Sequence, residues 1–305
     1  MAIAFDRDFE APYETLVPVA PRIRRLLTAN PGPFTFKGTS VAVIGEGRVA
    51  VIDPGPDDPA HLEHLRNALG GETVTNILIT HTHRDHSPAA RALKQWTGAP
   101  TYGFGPHGAG KPEQGIQQGI VVEEGGDTDF VPDIRVRDGD VIEGAGFTFE
   151  CVHTPGHTSN HMCYALKEEK ALFTGDHVMG WSTTVVAPPD GDMGDYLASL
   201  KKLLARDDQA YWPAHGGAVR NPQEFVADYL AHRLEREAQI LAALKEGAAR
   251  IPDMVKRIYI GLDPALIPAA GLSVLAHLLE LKKLGRVASS GVPGLTAVYR
   301  LQHSA

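Results

Sequence analysis

The run Ile77-Leu78-Ile79-Thr80-His81-Thr82-His83-Arg84-Asp85-His86 constrains this chain more than any other stretch. An apolar, β-branched segment stops at three histidines and an aspartate. Short branched runs bounded by turn residues read as buried strands. The polar cluster then occupies the loop at the strand's C-terminal end, where ligand sites of α/β proteins tend to lie. Neutral imidazole and carboxylate together are the donor set for zinc and similar divalent ions. The plain alternative is a histidine-rich surface loop, and the rest of the chain argues against it.

The same device recurs. Phe147-Thr148-Phe149-Glu150-Cys151-Val152 runs into His153-Thr154-Pro155-Gly156-His157-Thr158. Ala171 to Phe173 runs into Thr174-Gly175-Asp176-His177, and Ala210-Tyr211-Trp212-Pro213 into Ala214-His215-Gly216-Gly217. Each time a strand delivers a histidine or an acid into a turn. The Gly45-Glu46-Gly47 turn between Val41–Ile44 and Val49–Ile52 is hairpin chemistry. The second of these strands ends in Asp53-Pro54-Gly55, and Asp53 is either a turn former or a carboxylate that orients a metal-bound histidine.

Helices separate these strands. Pro59 to Leu69 has helical spacing and stops at Gly70-Gly71. Ser87 is a plausible N-cap, with Pro88 at the first position of a helix through Trp96. Met162 to Leu166 reads as a strand, and Asp195 to Leu204 and Pro222 to Lys245 read as amphipathic helices. Alternating strands and helices indicate an α/β fold. Phe104 to Thr128 lacks periodicity and reads as a surface insertion over the mouth of the site, with His107 as a solvated loop histidine. After Gly247 the style changes to a short helix near Val255, a longer one from Leu272 to Leu284, and strands at Arg286–Ala288 and Leu295–Leu301. That is a winged-helix pattern, so residues 1–246 are expected to form the catalytic domain and 247–305 a small C-terminal one.

The 305 residues are 43% hydrophobic and 22% charged, enough for one large domain with a small companion. A net charge of −8 excludes wholesale coating of nucleic acid. The two cysteines, Cys151 and Cys163, sit in apolar runs and imply no disulfide framework, which suits a reducing, cytoplasmic setting. The N-terminus lacks a basic then apolar leader, and no apolar run approaches membrane-span length, so no membrane partner is expected.

In order, His81, His83, Asp85, His86, His157, Asp176 and His215 reproduce the H-x-H-x-D-H, His, Asp, His pattern. The chain resembles the metallo-β-lactamase superfamily. Asn30-Pro31-Gly32-Pro33-Phe34-Thr35 with Gly38-Thr39, the run from Thr154 to Met162, and His232-Arg233 with Arg236-Glu237 further resemble the lactamase-like group related to the animal mitochondrial endoribonuclease. That group also carries a C-terminal winged helix. The resemblance implies an αββα sandwich with a dinuclear site on the sheet edge. His81, His83 and His157 would hold one ion, Asp85, His86 and His215 the other, and Asp176 would bridge them. A bridging acid is the pattern of glyoxalase II and of the metal-dependent ribonucleases rather than of true β-lactamases. The implied cofactors are two divalent ions, zinc first, with manganese or iron as alternatives. One departure is His177 beside the bridging acid, where the animal protein carries cysteine.

The chemistry implied is hydrolysis. A water shared by two ions ionises near neutral pH and attacks an ester, thioester or phosphodiester. Asp85 would hold that nucleophile and later protonate the leaving group. Asp53 would orient a ligand histidine, and His161 would be structural or at the rim. Three readings compete: a single-stranded RNA endonuclease, a glyoxalase II-like thioesterase, and a nucleic-acid-binding protein with a relic site. The intact ligand set disfavours the last. Residues 247–305 carry +4, leaving −12 on the remainder. Lys282, Lys283 and Arg286 could therefore meet a phosphate backbone. Alternatively the tail packs beside the active site or forms a homodimer interface.

Overall fold

The computed structural model describes residues 3–111, 125–247 and 249–302. One sheet runs, in chain order, through β1 (Val17–Ala20), β2 (Ile23–Leu27), β3 (Ser40–Ile44), β4 (Arg48–Ile52), β5 (Thr73–Leu78), β6 (Thr101–Gly103) and β7 (Ile134–Arg135). The second contains β8 (Val141–Gly144), β9 (Phe147–His153), β10 (Met162–Leu166), β11 (Ala171–Gly175) and β12 (Ala210–Pro213), in spatial order β12-β11-β10-β9-β8. Helices α1 (Pro59–Ala68) and α2 (Ala89–Thr97) cover the first sheet, and α3 (Met193–Leu204) and α4 (Pro222–Lys245) cover the second.

The alternation of strand side chains builds these layers. Ala50 and Ile52 of β4 face the space between the sheets, with Phe149 and Cys151 of β9 and Met162, Tyr164 and Leu166 of β10. Val49 and Val51 face the other way, onto Leu65 and Leu93 of α1 and α2. Cys163 and Ala165 point outward from β10 to meet Tyr196 and Leu200 of α3 and Tyr229 of α4. This is the expected αββα sandwich. Strand pairs β4–β5 and β11–β12 are parallel, so β4, β5, β11 and β12 all end on one edge. That edge receives Asp53, His81 to His86, Asp176 and His215. Both cysteines are buried and unpaired, and burial pushes each thiol up to about 12.

The C-terminal segment forms α5 (Ile251–Ile258), α6 (Ile267–Lys283) and a three-stranded sheet in the order β13 (Ala249–Arg250), β15 (Val298–Leu301), β14 (Val287–Ser289). This is the expected winged helix, with the first hairpin strand shifted by one residue and the second shorter than the apolar run suggests. Its core gathers Ile251, Met254, Leu275, Leu278 and Tyr299, together with Ile240, Ala243 and Leu244 from the last turns of α4. We propose the division near Gly247 as a division of the chain, with α4 lending its end to the smaller core.

Several local expectations need correction. Ser87 does not cap α2, because its hydroxyl donates to the Asp127 carboxylate at 2.8 Å, and Pro88 takes the cap position without a side-chain bond. A carboxylate is the stronger acceptor. One helix, Pro264–Lys283, is long and apolar enough to cross a membrane by length and composition, contrary to the sequence expectation. Its apolar window is 61% buried inside the protein, which marks it as a core helix. His107 is half-buried, with Nδ1 3.0 Å from the Thr82 hydroxyl, rather than solvated. The rest of that insertion, 112–124, lies outside the described residues. The basic tail residues are also engaged. Lys283 pairs with Asp192, and Arg286 with Glu237 at 2.6 Å, so two of the three candidate phosphate contacts tie the small domain to the large one.

Candidate metal centre

The loops following β5, β9, β11 and β12 converge on two donor groups. His81, His83, His157 and Asp176 form one, and Asp85, His86 and His215 the other, each with donor atoms within 4.8 Å of one another. No member exceeds 8% exposure. In the first group, His83 Nδ1 lies 3.0 Å from His81 Nε2 and 3.1 Å from His157 Nε2. In the second, His215 Nε2 lies 3.3 Å and His86 Nε2 3.1 Å from Asp85 Oδ2. Asp176 lies between them. Its Oδ2 faces His157 Nε2 at 3.8 Å and His81 Nε2 at 4.0 Å, while Oδ1 faces His215 Nε2 at 3.3 Å and His86 Nε2 at 3.6 Å.

These distances are close, yet His86 Nε2 and Asp176 Oδ1 are buried without a hydrogen bond of acceptable geometry. Buried polar atoms in native proteins normally have partners. An orphaned imidazole nitrogen and an orphaned carboxylate oxygen amid crowded His and Asp donors fit a divalent cation held between them.

The outer nitrogens support this geometry. His86 Nδ1 lies 3.0 Å from Asp53 Oδ2, His157 Nδ1 2.7 Å from the Val185 carbonyl, and His215 Nδ1 3.1 Å from the Gly38 carbonyl. His81 Nδ1 lies 3.0 Å from the Thr80 hydroxyl. Such partners fix the ring and the tautomer of a ligating histidine. Asp53 also accepts from the Thr80 amide at 2.8 Å and the Thr80 hydroxyl at 2.6 Å. Its backbone is left-handed, φ +48°, an uncommon conformation for a residue other than glycine that clusters at functional sites.

Thr39, Gly38 and Asn30 are the participants that the residue pattern did not single out by role. The Thr39 hydroxyl donates to Asp85 Oδ2 at 2.8 Å and receives the Asn30 amide at 3.0 Å. Gly38 has φ +132°, and a Cβ there would lie 2.1 Å from the Thr28 carbonyl oxygen, so only glycine fits. The signal available was the glycine-rich Asn30–Thr39 stretch itself, without any indication of what it touched. His161 is buried under the site rather than at its rim, accepting the Asp176 amide at 3.2 Å and lying 2.9 Å from the Thr154 hydroxyl. His177 is in neither group. It is buried against the Tyr196 ring at 4.7 Å, behind the loop rather than on the edge of the site.

Burial and the two acids set the protonation pattern. Burial, reinforced by the His157 imidazole, pushes His83 down to about 3, and burial likewise takes His81 well below its ordinary value. For His86 and His215 burial acts in the same direction but is outweighed by Asp85 and Asp176, which raise His86 well above the usual range and His215 to about 10. Burial raises the two acids, and the neighbouring imidazoles override it, holding both well below the ordinary carboxylate range. The acids thus demand positive charge beside them. A divalent ion bound here would displace protons from His86 and His215, so its affinity would fall as pH falls.

A two-sheet sandwich with buried His and Asp donors gathered on one edge defines a metal-dependent hydrolase of the lactamase type. Residues 34–215 match the metallo-beta-lactamase superfamily model, and residues 251–292 match the beta-lactamase associated winged helix domain. The chain belongs to the metallo-β-lactamase superfamily. An atrochrysone carboxyl ACP thioesterase from Aspergillus chevalieri is 33% identical over 88% of this chain and 82% of its own length. One from Pseudocercospora fijiensis is 30% identical over 93% and 81%. The chain spans 66% of a similarly named protein from Cryptosporiopsis at 31% identity. A solved beta-lactamase domain protein from Burkholderia ambifaria superimposes with a TM-score of 0.79, covering 96% of this chain and 95% of its own, at 21% identity. That likeness concerns the fold alone. The relatives' names are those of hydrolases, and this chain is an enzyme of that class.

Proposed function

We propose that this protein is a dinuclear metal-dependent thioesterase. The observation that carries the dinuclear reading is Asp176, with one carboxylate oxygen toward each donor group. His81, His83 and His157 would hold one ion, Asp85, His86 and His215 the other, with zinc the best match to an imidazole-rich set. Bound ions at such a site supply a hydroxide nucleophile at neutral pH and polarise the carbonyl under attack.

The chain's own groups do the rest. Asp85 faces the recess above the site, where it can accept a hydrogen bond from the nucleophile and pass a proton to the departing thiolate. Thr39 and Asp53 hold Asp85 and His86 in place through the contacts above. The thioester reading is supported by the relatives' names. Buried, unpaired cysteines support a cytoplasmic setting. The test is turnover of zinc- or manganese-loaded protein on an acyl thioester, a single-stranded RNA and a lactam in parallel. Thioester hydrolysis should exceed the other two by at least about a hundredfold, roughly the discrimination that pocket fit alone can give. Equal or faster cleavage of RNA would overturn the assignment.

A further inference from the structure

We propose that the C-terminal domain completes the substrate recess, and that this recess binds the apolar acyl part of the substrate. The proposal rests on the thioesterase reading above. A recess open to solvent lies over the donor groups. Five of the seven donor residues line it, together with Phe34, Met179, Trp181, Val185 and Leu266 and three hydroxyl-bearing residues. Among the described residues, no lysine or arginine lines it. The apolar part of this wall gains free energy by taking apolar surface out of water.

Leu266 is the informative member, because it comes from the smaller domain while the others come from the larger. It ends a one-turn helix, Pro264–Leu266, whose start is fixed by Asp263. The Asp263 carboxylate accepts from the Ala265 amide at 2.9 Å, and its carbonyl accepts from the Leu266 amide at 2.9 Å. Leu262 just before it packs into the C-terminal core, and so does Ala187, two residues beyond Val185 of the opposite wall. The Asp192–Lys283 and Glu237–Arg286 pairs close the same domain boundary. The two walls are therefore joined through one core.

Trp181, another lining residue, is held by its own packing. Trp181 stacks on Phe36 with centroids 4.7 Å apart and planes 7° from parallel. Gly216, φ +91°, leaves the room this requires, since a Cβ there would come within 3.3 Å of the Trp181 side chain. An aromatic ring and a leucine lining one recess would set a limit on acyl length.

The test uses full-length, metal-loaded protein and N-acetylcysteamine thioesters of acetate, butyrate and hexanoate, which share one leaving group. kcat/KM should rise with acyl length, by up to roughly fourfold per methylene until the recess fills. Leu266→Ala should lower the hexanoyl-to-acetyl ratio severalfold, chiefly through KM. Leu266→Trp should move the optimum to a shorter acyl group. Calorimetry provides a second readout: hexanoate should bind the loaded protein at least about tenfold more tightly than acetate. Equal affinity for hexanoate and acetate, or an unchanged length profile in both variants, would overturn the assignment. If hexanoate is preferred but no thioester turns over, the recess stands and the thioesterase reading falls.

Discussion

Replacing Asp176 with asparagine should lower the content of both ions at once and reduce turnover by on the order of 10³-fold, several kcal/mol of lost transition-state stabilisation. The reason is its position. Oδ1 is 3.3 Å from His215 Nε2, and Oδ2 is 3.8 Å from His157 Nε2, so the residue serves both donor groups. An amide nitrogen in place of one oxygen removes a donor from one group and the bridging charge from both. The fold should survive, since asparagine keeps the shape and the Asp176 backbone amide still donates to His161. Elemental analysis of purified protein, alongside circular dichroism, checks this. A variant that keeps one full equivalent of metal would show that Asp176 belongs to one group only.

The second large effect is expected at Asp53. Asp53→Asn should cost roughly 10–100-fold in metal affinity or turnover. The carboxylate fixes the His86 ring from behind and braces the loop through two bonds to Thr80. Asparagine tolerates the left-handed backbone at this position. A drop in melting temperature without a drop in metal affinity would make Asp53 a loop brace only.

Much of this was legible because the chemistry sits at strand ends. A buried strand declares itself by branched apolar residues, and a donor immediately after it has nowhere to go but the sheet edge. Thus Ile77–Ile79 located His81 to His86, and Ala171–Phe173 located Asp176. What was not legible depends on contacts between distant segments. Thr39 bonds Asp85 across 46 positions and His157 reaches the Val185 carbonyl across 28. Single residues in turns carry no periodic signal, so their partners are settled only by the fold. Ser87 illustrates the same point in reverse. Its local capping chemistry was correct in kind, and a carboxylate 40 residues away took the hydroxyl. Lys283 and Arg286 are surface cations as expected, but sequence shows their charge without showing Asp192 and Glu237 opposite. Leu266 looked like one apolar residue among many, and only its place across the domain boundary makes it part of the recess.

The most direct measurement is turnover of an acyl thioester as zinc or manganese is added back to chelator-stripped protein. The stripped protein should be inactive, and activity should climb to a plateau at two equivalents of ion per chain, with Asp176→Asn failing to reach it. Full activity in the stripped protein, or a plateau at one equivalent, would contradict a dinuclear thioesterase.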